Sequence, residues 1–147
     1  ADLGIVGKDV INEQKSDIME LANLSFGACR LVIAGPASMK DNYLQHNIRV
    51  ATKFENSCLE YFRQKSIRCI PIKMYGAMEL APSTGVSDII CDLTASGKTL
   101  EENDLIEYTE VFSSTARLIC NRVSLMTCFN EIETIHNAIK NTFISNE

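Results

Sequence analysis

Residues 86–100 read VSDIICDLTASGKTL and contain an apolar run, a loop of small residues and the start of a helix. The apolar run, which ends at Leu93, predicts a buried strand. The loop that follows, residues 94–99, leads into a helix-prone segment. Backbone N–H groups in such a loop and at the helix N-terminus point at one spot, where the helix dipole favours a negative charge. The stretch therefore predicts a strand, a phosphate-binding loop and a helix in an α/β protein.

The side chains of this loop also suit an anionic ligand. Ser96 and Thr99 offer hydroxyl donors, and Lys98 carries a mobile positive charge. Gly97 allows the backbone to approach a ligand closely. Asp92, near the end of the apolar run, is an acceptor for the hydroxyl groups of a sugar. The combination favours a sugar phosphate as the ligand.

Residues 96–99 also match the end of the Walker A pattern, G-x-x-x-x-G-K-S/T. The first glycine of that pattern falls at position 92, where this chain has Asp92. Because a carboxylate beside a triphosphate would repel it, the sequence disfavours a P-loop nucleoside triphosphatase.

The signature around the loop extends over many fixed residue types. The residues that carry it are Glu79, Gly85, Ser87, Ile90, Asp92, Leu93, Ser96, Gly97, Thr99 and Leu100. Together they resemble the signature of ATP phosphoribosyltransferase, the first enzyme of histidine biosynthesis. Residues 2–10, 26–36 and 114–122 resemble the same family, in the same order, so the resemblance covers the chain up to about Ser124.

Strands that alternate with helices indicate an α/β fold. Breaks at Gly35-Pro36 and Ser113-Ser114 suggest that one domain is inserted in another. The resemblance implies the same: two lobes like those of periplasmic binding proteins. Residues 1–36 and 113–147 are expected to be the remaining part of a first lobe, and residues 37–112 the inserted lobe with the loop. The first lobe is expected to be incomplete, because relatives carry an N-terminal segment before this point.

The resemblance implies transfer of phosphoribosyl from phosphoribosyl pyrophosphate (PRPP) to N1 of ATP, with release of pyrophosphate. Mg²⁺ is expected to be held mainly by pyrophosphate oxygens rather than by a metal site of the chain. The residues expected to bind PRPP are Asp92, Thr94, Ala95, Ser96, Gly97, Lys98 and Thr99. No residue is identified as a catalytic acid, base or nucleophile.

Other candidate contacts each have a structural alternative. Glu79 is a candidate for ribose or adenylyl groups, or else a solvated helix residue. Lys8 and Asp9 are candidates to line the cleft, or else a surface pair at a helix start. Asp92 itself has a structural alternative as a turn or capping carboxylate. Arg30 and Arg49 are weaker candidates for anion contacts, with an ordinary surface role as the alternative. The pair Met74-Tyr75 is a weaker candidate for packing against a purine, with an ordinary core role as the alternative.

Composition excludes several other classes of protein. The chain has 147 residues, 46% hydrophobic and 22% charged, with a net charge of −5. This charge argues against a nucleic-acid surface, and no apolar run is long enough for a membrane span. The six cysteines form no C-x-x-C pair, which favours reduced thiols in a cytoplasmic protein.

The expected partners are ATP, PRPP and further copies of the chain. The chain ends at Glu147, soon after a helix with apolar residues at Ile132, Ile135, Ile139 and Phe143 and a predicted N-cap at Asn130. It thus resembles the short catalytic form, which works with a regulatory subunit similar to histidyl-tRNA synthetase. The alternatives are a non-catalytic module that binds a nucleotide or a sugar phosphate, and a periplasmic solute receptor.

Overall fold

A computed structural model describes residues 1–143, and at Phe143 it describes the backbone only. The strands are β1 (Leu3–Gly7), β2 (Ile18–Asn23), β3 (Cys29–Pro36), β4 (Ile48–Thr52), β5 (Cys69–Lys73), β6 (Ile89–Thr94), β7 (Leu105–Ser114) and β8 (Ala116–Asn121). The α-helices are α1 (Lys8–Gln14), α2 (Glu55–Gln64), α3 (Lys98–Glu101), α4 (Arg122–Thr127) and α5 (Phe129–Phe143). Short 3-10 helices cover Ala37–Met39 and Met78–Leu80.

The chain divides into two compact units. The first consists of residues 1–28 and the chain from Ser114 onward, and its three-stranded antiparallel sheet has the order β1-β8-β2. Leu24, Ala116 and Leu118 form its buried core, and Ile139 of α5 packs against them. The sheet therefore buries one face under α5.

Several features of the first unit differ from the sequence prediction. The prediction omits β2, where apolar residues do not alternate because the register shifts between Glu20 and Ala22. The predicted N-cap at Asn130 is wrong, since α5 already begins at Phe129. Of the predicted apolar stripe, Ile132 is buried and Ile139 packs on the core, but Ile135 is 45% exposed; the side chain of Phe143 lies outside the described part of the chain.

The second unit, Cys29–Ser113, contains a five-stranded mixed sheet of order β5-β4-β6-β3-β7. Strand β4 lies parallel to β5 and β6, and β3 lies antiparallel to β6. Side chains alternate between two apolar clusters, one around Phe62 and Cys91 and the other around Val32 and Ile90. Strand β5 lies at the edge of the sheet, as its Pro71 predicts.

The boundary between the units lies before Cys29 rather than after Pro36. Strand β3, which the prediction assigned to the first lobe, pairs with β6 from Arg30 to Ala34. Its residues Leu31 and Ile33 are fully buried in the second unit's core. Backbone pairing and burial thus outweigh the Gly35-Pro36 break, which marks the end of β3 and not a domain joint.

Candidate functional site

The carboxyl ends of the parallel strands β4, β5 and β6 lie at one edge of the second unit's sheet. Ligands of α/β proteins bind outside this edge, where loops leave the strands. Strand β6 brings Asp92 and Thr94 to the edge, and the segment 95–97 connects it to α3. The predicted strand, loop and helix are therefore all present at the place where a ligand is expected.

The loop is held in a defined shape by a short internal contact. Gly97 has φ 78, in the left-handed region that glycine adopts without strain. Its N–H donates to Oγ1 of Thr94 over 2.8 Å. Within residues 1–143, the N–H groups of Ala95, Ser96, Lys98 and Thr99 donate to no protein acceptor. These amides are available to an anion.

A cavity of about 340 Å³ opens beside this loop. Six of the sequence-predicted residues line it: Glu79, Asp92, Thr94, Ala95, Ser96 and Thr99. Val32, Ile90 and Leu100 form its apolar floor. Two other predicted residues, Gly97 and Lys98, belong to the loop but do not line the cavity.

Asp92 is the most unusual side chain of the cavity. Its Oδ1 is buried and has no hydrogen-bond partner among the described residues. Burial raises the pKa of Asp92; hydrogen bonding to the Leu93 backbone and the charge of Lys53 lower it, and the charge of Glu79 raises it further. A buried acceptor without a donor costs stability, which is typical of a site completed by a ligand.

Glu79 lies in the 3-10 helix Met78–Leu80, whose preceding residue Ala77 has φ 52. The side chain is half-buried and faces the cavity, rather than being a fully solvated helix residue. Its carboxylate acts electrostatically on Asp92. The carboxylates of Glu79 and Asp92 therefore both line this small cavity.

Lys8 and Asp9 belong to the first unit and have partners there. Lys8 Nζ lies 2.6 Å from Glu20 Oε2. Asp9 is buried at the start of α1, where its N–H donates to Ser114 Oγ and its carboxylate accepts from the Ser114 hydroxyl. Asp9 thus joins the two chain segments of this unit. Because Asp9 is buried, the two residues do not form the surface pair given as the alternative.

The weaker candidates have other roles. Arg30 makes two hydrogen bonds to Glu107, and Arg49 binds Asp88 with its Nη2 2.7 Å from Oδ1. Both guanidinium groups are thus engaged by carboxylates. Of the pair Met74-Tyr75, Met74 packs against an apolar cluster of the second unit, as the core role predicts, whereas Tyr75 is 84% exposed and the core role is wrong for it.

Lys53 is a residue that sequence analysis did not single out. It directly follows β4, and its charge acts on Asp92. The signal that could have found it is its position directly after a strand of an α/β fold, where the carboxyl ends of parallel strands come together. Its sequence context, ATKFE, carries no recognisable motif.

Residues 1–143 contain no group of three His, Cys, Asp or Glu side chains that could hold a metal ion. All six cysteines are free, and Cys58, Cys69, Cys91 and Cys120 are buried. No helix in the described part of the chain is long and apolar enough to cross a membrane.

Comparison with known proteins identifies relatives over almost the whole chain. The family model of ATP phosphoribosyltransferase matches residues 1–141. An ATP phosphoribosyltransferase of Caldanaerobacter subterraneus subsp. tengcongensis is 48% identical over 135 residues, which is 92% of this chain and 64% of the relative. The chain thus spans just under two thirds of the length of that relative.

Solved structures agree with this result. A chain of the ATP phosphoribosyl transferase (HisG:HisZ) complex from Thermotoga maritima superposes with a TM-score of 0.88 at 30% identity, over 99% of this chain and 72% of that chain. A periplasmic binding protein from Brucella ovis has a TM-score of 0.51 at 11% identity, over 77% and 40% of the two chains, which is a likeness of fold alone. The predicted α/β fold like that of periplasmic binding proteins is confirmed, and the chain belongs to the ATP phosphoribosyltransferase family.

Proposed function

We propose that the protein transfers phosphoribosyl from PRPP to N1 of the adenine of ATP, the first step of histidine biosynthesis. The observation that carries the proposal is the cavity in which the unpartnered Oδ1 of Asp92 lies beside a loop with free backbone amides. A sugar phosphate has a partner for each of these groups: its hydroxyls can donate to Asp92, and its phosphate can accept from the amides.

In this proposal the available N–H groups of the loop, those of Ala95, Ser96, Lys98 and Thr99, hold the 5-phosphate of PRPP. The α3 dipole and the side chains of Ser96, Lys98 and Thr99 contribute to the binding. A ribose hydroxyl donates to Oδ1 of Asp92 and satisfies the buried acceptor. Glu79, half-buried in the same cavity, accepts from ribose or adenylyl groups. The sugar is thereby held at two points, so its orientation is fixed.

The bond changes balance without a covalent enzyme intermediate. The lone pair of adenine N1 attacks C1 of the ribose, the bond from C1 to the pyrophosphate oxygen breaks, and pyrophosphate leaves with the electron pair. Mg²⁺ enters with the substrate, held mainly by pyrophosphate oxygens. The cavity itself offers two carboxylates, those of Asp92 and Glu79, so we expect pyrophosphate to supply most of the ligands of the ion. The contribution of the chain is positioning and electrostatic stabilisation.

The assembly belongs to the same proposal. A regulatory subunit is proposed as partner because the similar Thermotoga maritima chain comes from a HisG:HisZ complex. Association of several copies is also part of the proposal, as a closed symmetric homo-oligomer, the usual form of soluble oligomers. A cytoplasmic location is proposed because the cysteines are free thiols, as in a reducing compartment.

The test is product formation from ATP, PRPP and Mg²⁺ by the purified protein, followed by mass spectrometry. The expected result is phosphoribosyl-ATP and pyrophosphate in equal amounts, with a sharply reduced rate for Asp92→Asn. Binding of PRPP without product would favour the non-catalytic sugar-phosphate module instead. Failure to bind PRPP at all would contradict both functions.

A further inference from the structure

The register of β4 against β6 brings Lys53 next to Asp92. Ala51 pairs with Ile90 and Thr52 pairs with Cys91, so Lys53 and Asp92 are next in the parallel register. Successive side chains of a strand point to opposite faces. Since Ile90 belongs to the apolar cluster with Ala51, Asp92 lies on that same face, and Lys53 directly follows β4 at the same end of the sheet.

Lys53 is not engaged by another carboxylate. Its side chain is exposed, and within residues 1–143 it forms no salt bridge. Its Nζ lies 5.0 Å from the centroid of the Phe54 ring, a contact that leaves the charge available. Lys73, which ends the neighbouring strand β5, is by contrast paired with Glu55 over 2.8 Å.

Lys53 is one of several groups around Asp92 that affect the pKa of its carboxyl. From the 3-10 helix, Glu79 raises the pKa of Asp92, as does burial, whereas Lys53 lowers it. Strand β3 places Val32, which carries no charge, opposite Asp92. The start of α3 brings Lys98 to the loop, but the described contacts give it no effect on Asp92. Lys53 is thus the cation of the described chain that favours the charged form of Asp92.

We propose that Lys53 is a positioning residue that keeps Asp92 ionised, and so able to accept hydrogen bonds from the ribose hydroxyls of a sugar phosphate. The inference rests on the proposed function, because it takes PRPP as the ligand of the cavity. Without Lys53, two neighbouring carboxylates share a half-buried site, which favours protonation of one of them. A protonated Asp92 is a weaker acceptor, since charge-assisted hydrogen bonds are roughly twice as strong as neutral ones.

The test compares Lys53→Met with Lys53→Arg, which keeps the charge, and with Lys40→Met as the matched control. Lys40 is also exposed, but it follows the carboxyl end of antiparallel β3, at the opposite edge of the sheet. Calorimetry gives the Kd of PRPP from about pH 4, close to the ordinary pKa of a carboxyl, up to about pH 8. The ¹³C resonance of the Asp92 carboxyl, assigned with Asp92→Asn, gives its pKa in the free protein.

Lys53→Met is expected to raise the pKa of Asp92, because the charge that lowers it is removed. PRPP binding is then expected to be about threefold weaker at the acid end of the range, with no difference at the alkaline end. Lys53→Arg and Lys40→Met are expected to follow the unmodified protein at every pH. A purely structural role of Lys53 would not produce this pH dependence.

Two results would overturn the inference. One is a Lys53→Met profile that coincides with Lys40→Met, and the other is a loss of affinity that is equal at all pH values, which would make Lys53 a direct ligand contact. In both cases the unmodified protein still binds PRPP, so the proposed function survives. If the unmodified protein does not bind PRPP, the proposed function fails and this inference fails with it.

Discussion

At the scale of single residues, Asp92 lowers the stability of the free protein but provides an acceptor for a bound ligand. Its buried Oδ1 lacks a donor, and burial raises its pKa, so the free protein carries an unfavourable charge at neutral pH. Sequence analysis identified the residue and the chemistry of its side chain. It did not identify the missing donor, because that depends on the three-dimensional surroundings of β6.

Asp92→Asn is therefore expected to stabilise the free protein at pH 7 by about 1 kcal/mol while it weakens PRPP binding. The sign follows from the raised pKa. Protonated Asp92 contributes stability that is fully present below the unfolded pKa of about 3.9 and is lost as pH rises through the folded value. The gain from asparagine should thus appear at neutral pH and vanish in acid.

Urea unfolding near pH 7 and near pH 4 measures this change, with the exposed Asp41→Asn as control. A clear loss of stability for Asp92→Asn at neutral pH would contradict the assignment, since it would mean that the carboxylate is a structural capping group.

Gly97→Ala tests the loop conformation without a steric clash. No atom lies within 4 Å of a Cβ built at Gly97, but φ 78 strains any L side chain there. We expect a loss of about 1–2 kcal/mol of folding stability, and a marked loss of PRPP affinity, because relief of the strain displaces the amides. Gly97→Asn should cost less, since asparagine tolerates this region better than alanine.

Thermal unfolding and PRPP calorimetry give both quantities. Gly76→Ala is the matched control, because the space around Gly76 is also open and its φ is not positive. Equal effects of Gly76→Ala and Gly97→Ala would show that the left-handed conformation has no special role.

At the scale of secondary structure elements, the buried strands were predictable and the irregular ones were not. Strand β6 and α3 were predicted because an apolar run, small loop residues and a helix start follow one another in residues 86–100. Strand β2 was not predicted, because its register shift breaks the alternation. Helix α4 was not predicted, because it follows β8 without a loop and Asn121 both ends that strand and caps the helix.

The packing of β3 against β7 gives a prediction at this scale. A Cβ at Gly35 would lie 2.6 Å from the Tyr108 hydroxyl oxygen and 2.9 Å from Cγ2 of Ile89. Tyr108 donates that hydroxyl to the Pro36 carbonyl over 2.5 Å, so it is not free to move. We expect Gly35→Ala to destabilise the protein by about 1–3 kcal/mol through overpacking.

The cost of Gly35→Ala should fall in a Tyr108→Phe background, because the hydroxyl is the nearest atom. A double-mutant cycle in urea measures this coupling. Additive effects of the two substitutions would contradict the proposed contact.

At the scale of the whole molecule, the site belongs to one continuous piece of chain. Every residue that lines the cavity lies within the second unit, Cys29–Ser113, which has its own apolar clusters. The first unit is made of two chain segments, joined through Asp9 and Ser114. The sequence predicted that the chain divides, but it placed the first boundary after Pro36, because the pairing partner of β3 is distant in sequence.

A fragment of residues 29–113 is therefore expected to fold and to bind PRPP with a Kd within about tenfold of that of the whole chain, a difference of about 1.4 kcal/mol. Cooperative thermal unfolding followed by circular dichroism, and calorimetry with PRPP, check the two parts. The matching fragment 37–113, which starts at the predicted boundary, lacks β3 and should not fold. Equal folding of both fragments would contradict the division described above.

The central claim is that the backbone of residues 94–99 holds the 5-phosphate of PRPP while Asp92 holds the ribose. A crystal structure of the protein with bound PRPP tests it most directly. We predict that phosphate oxygens lie within hydrogen-bond distance, about 2.7–3.2 Å, of the free loop amides and that a ribose hydroxyl lies equally close to Oδ1 of Asp92. PRPP bound elsewhere, with this loop and Oδ1 of Asp92 still without a ligand, would contradict the account.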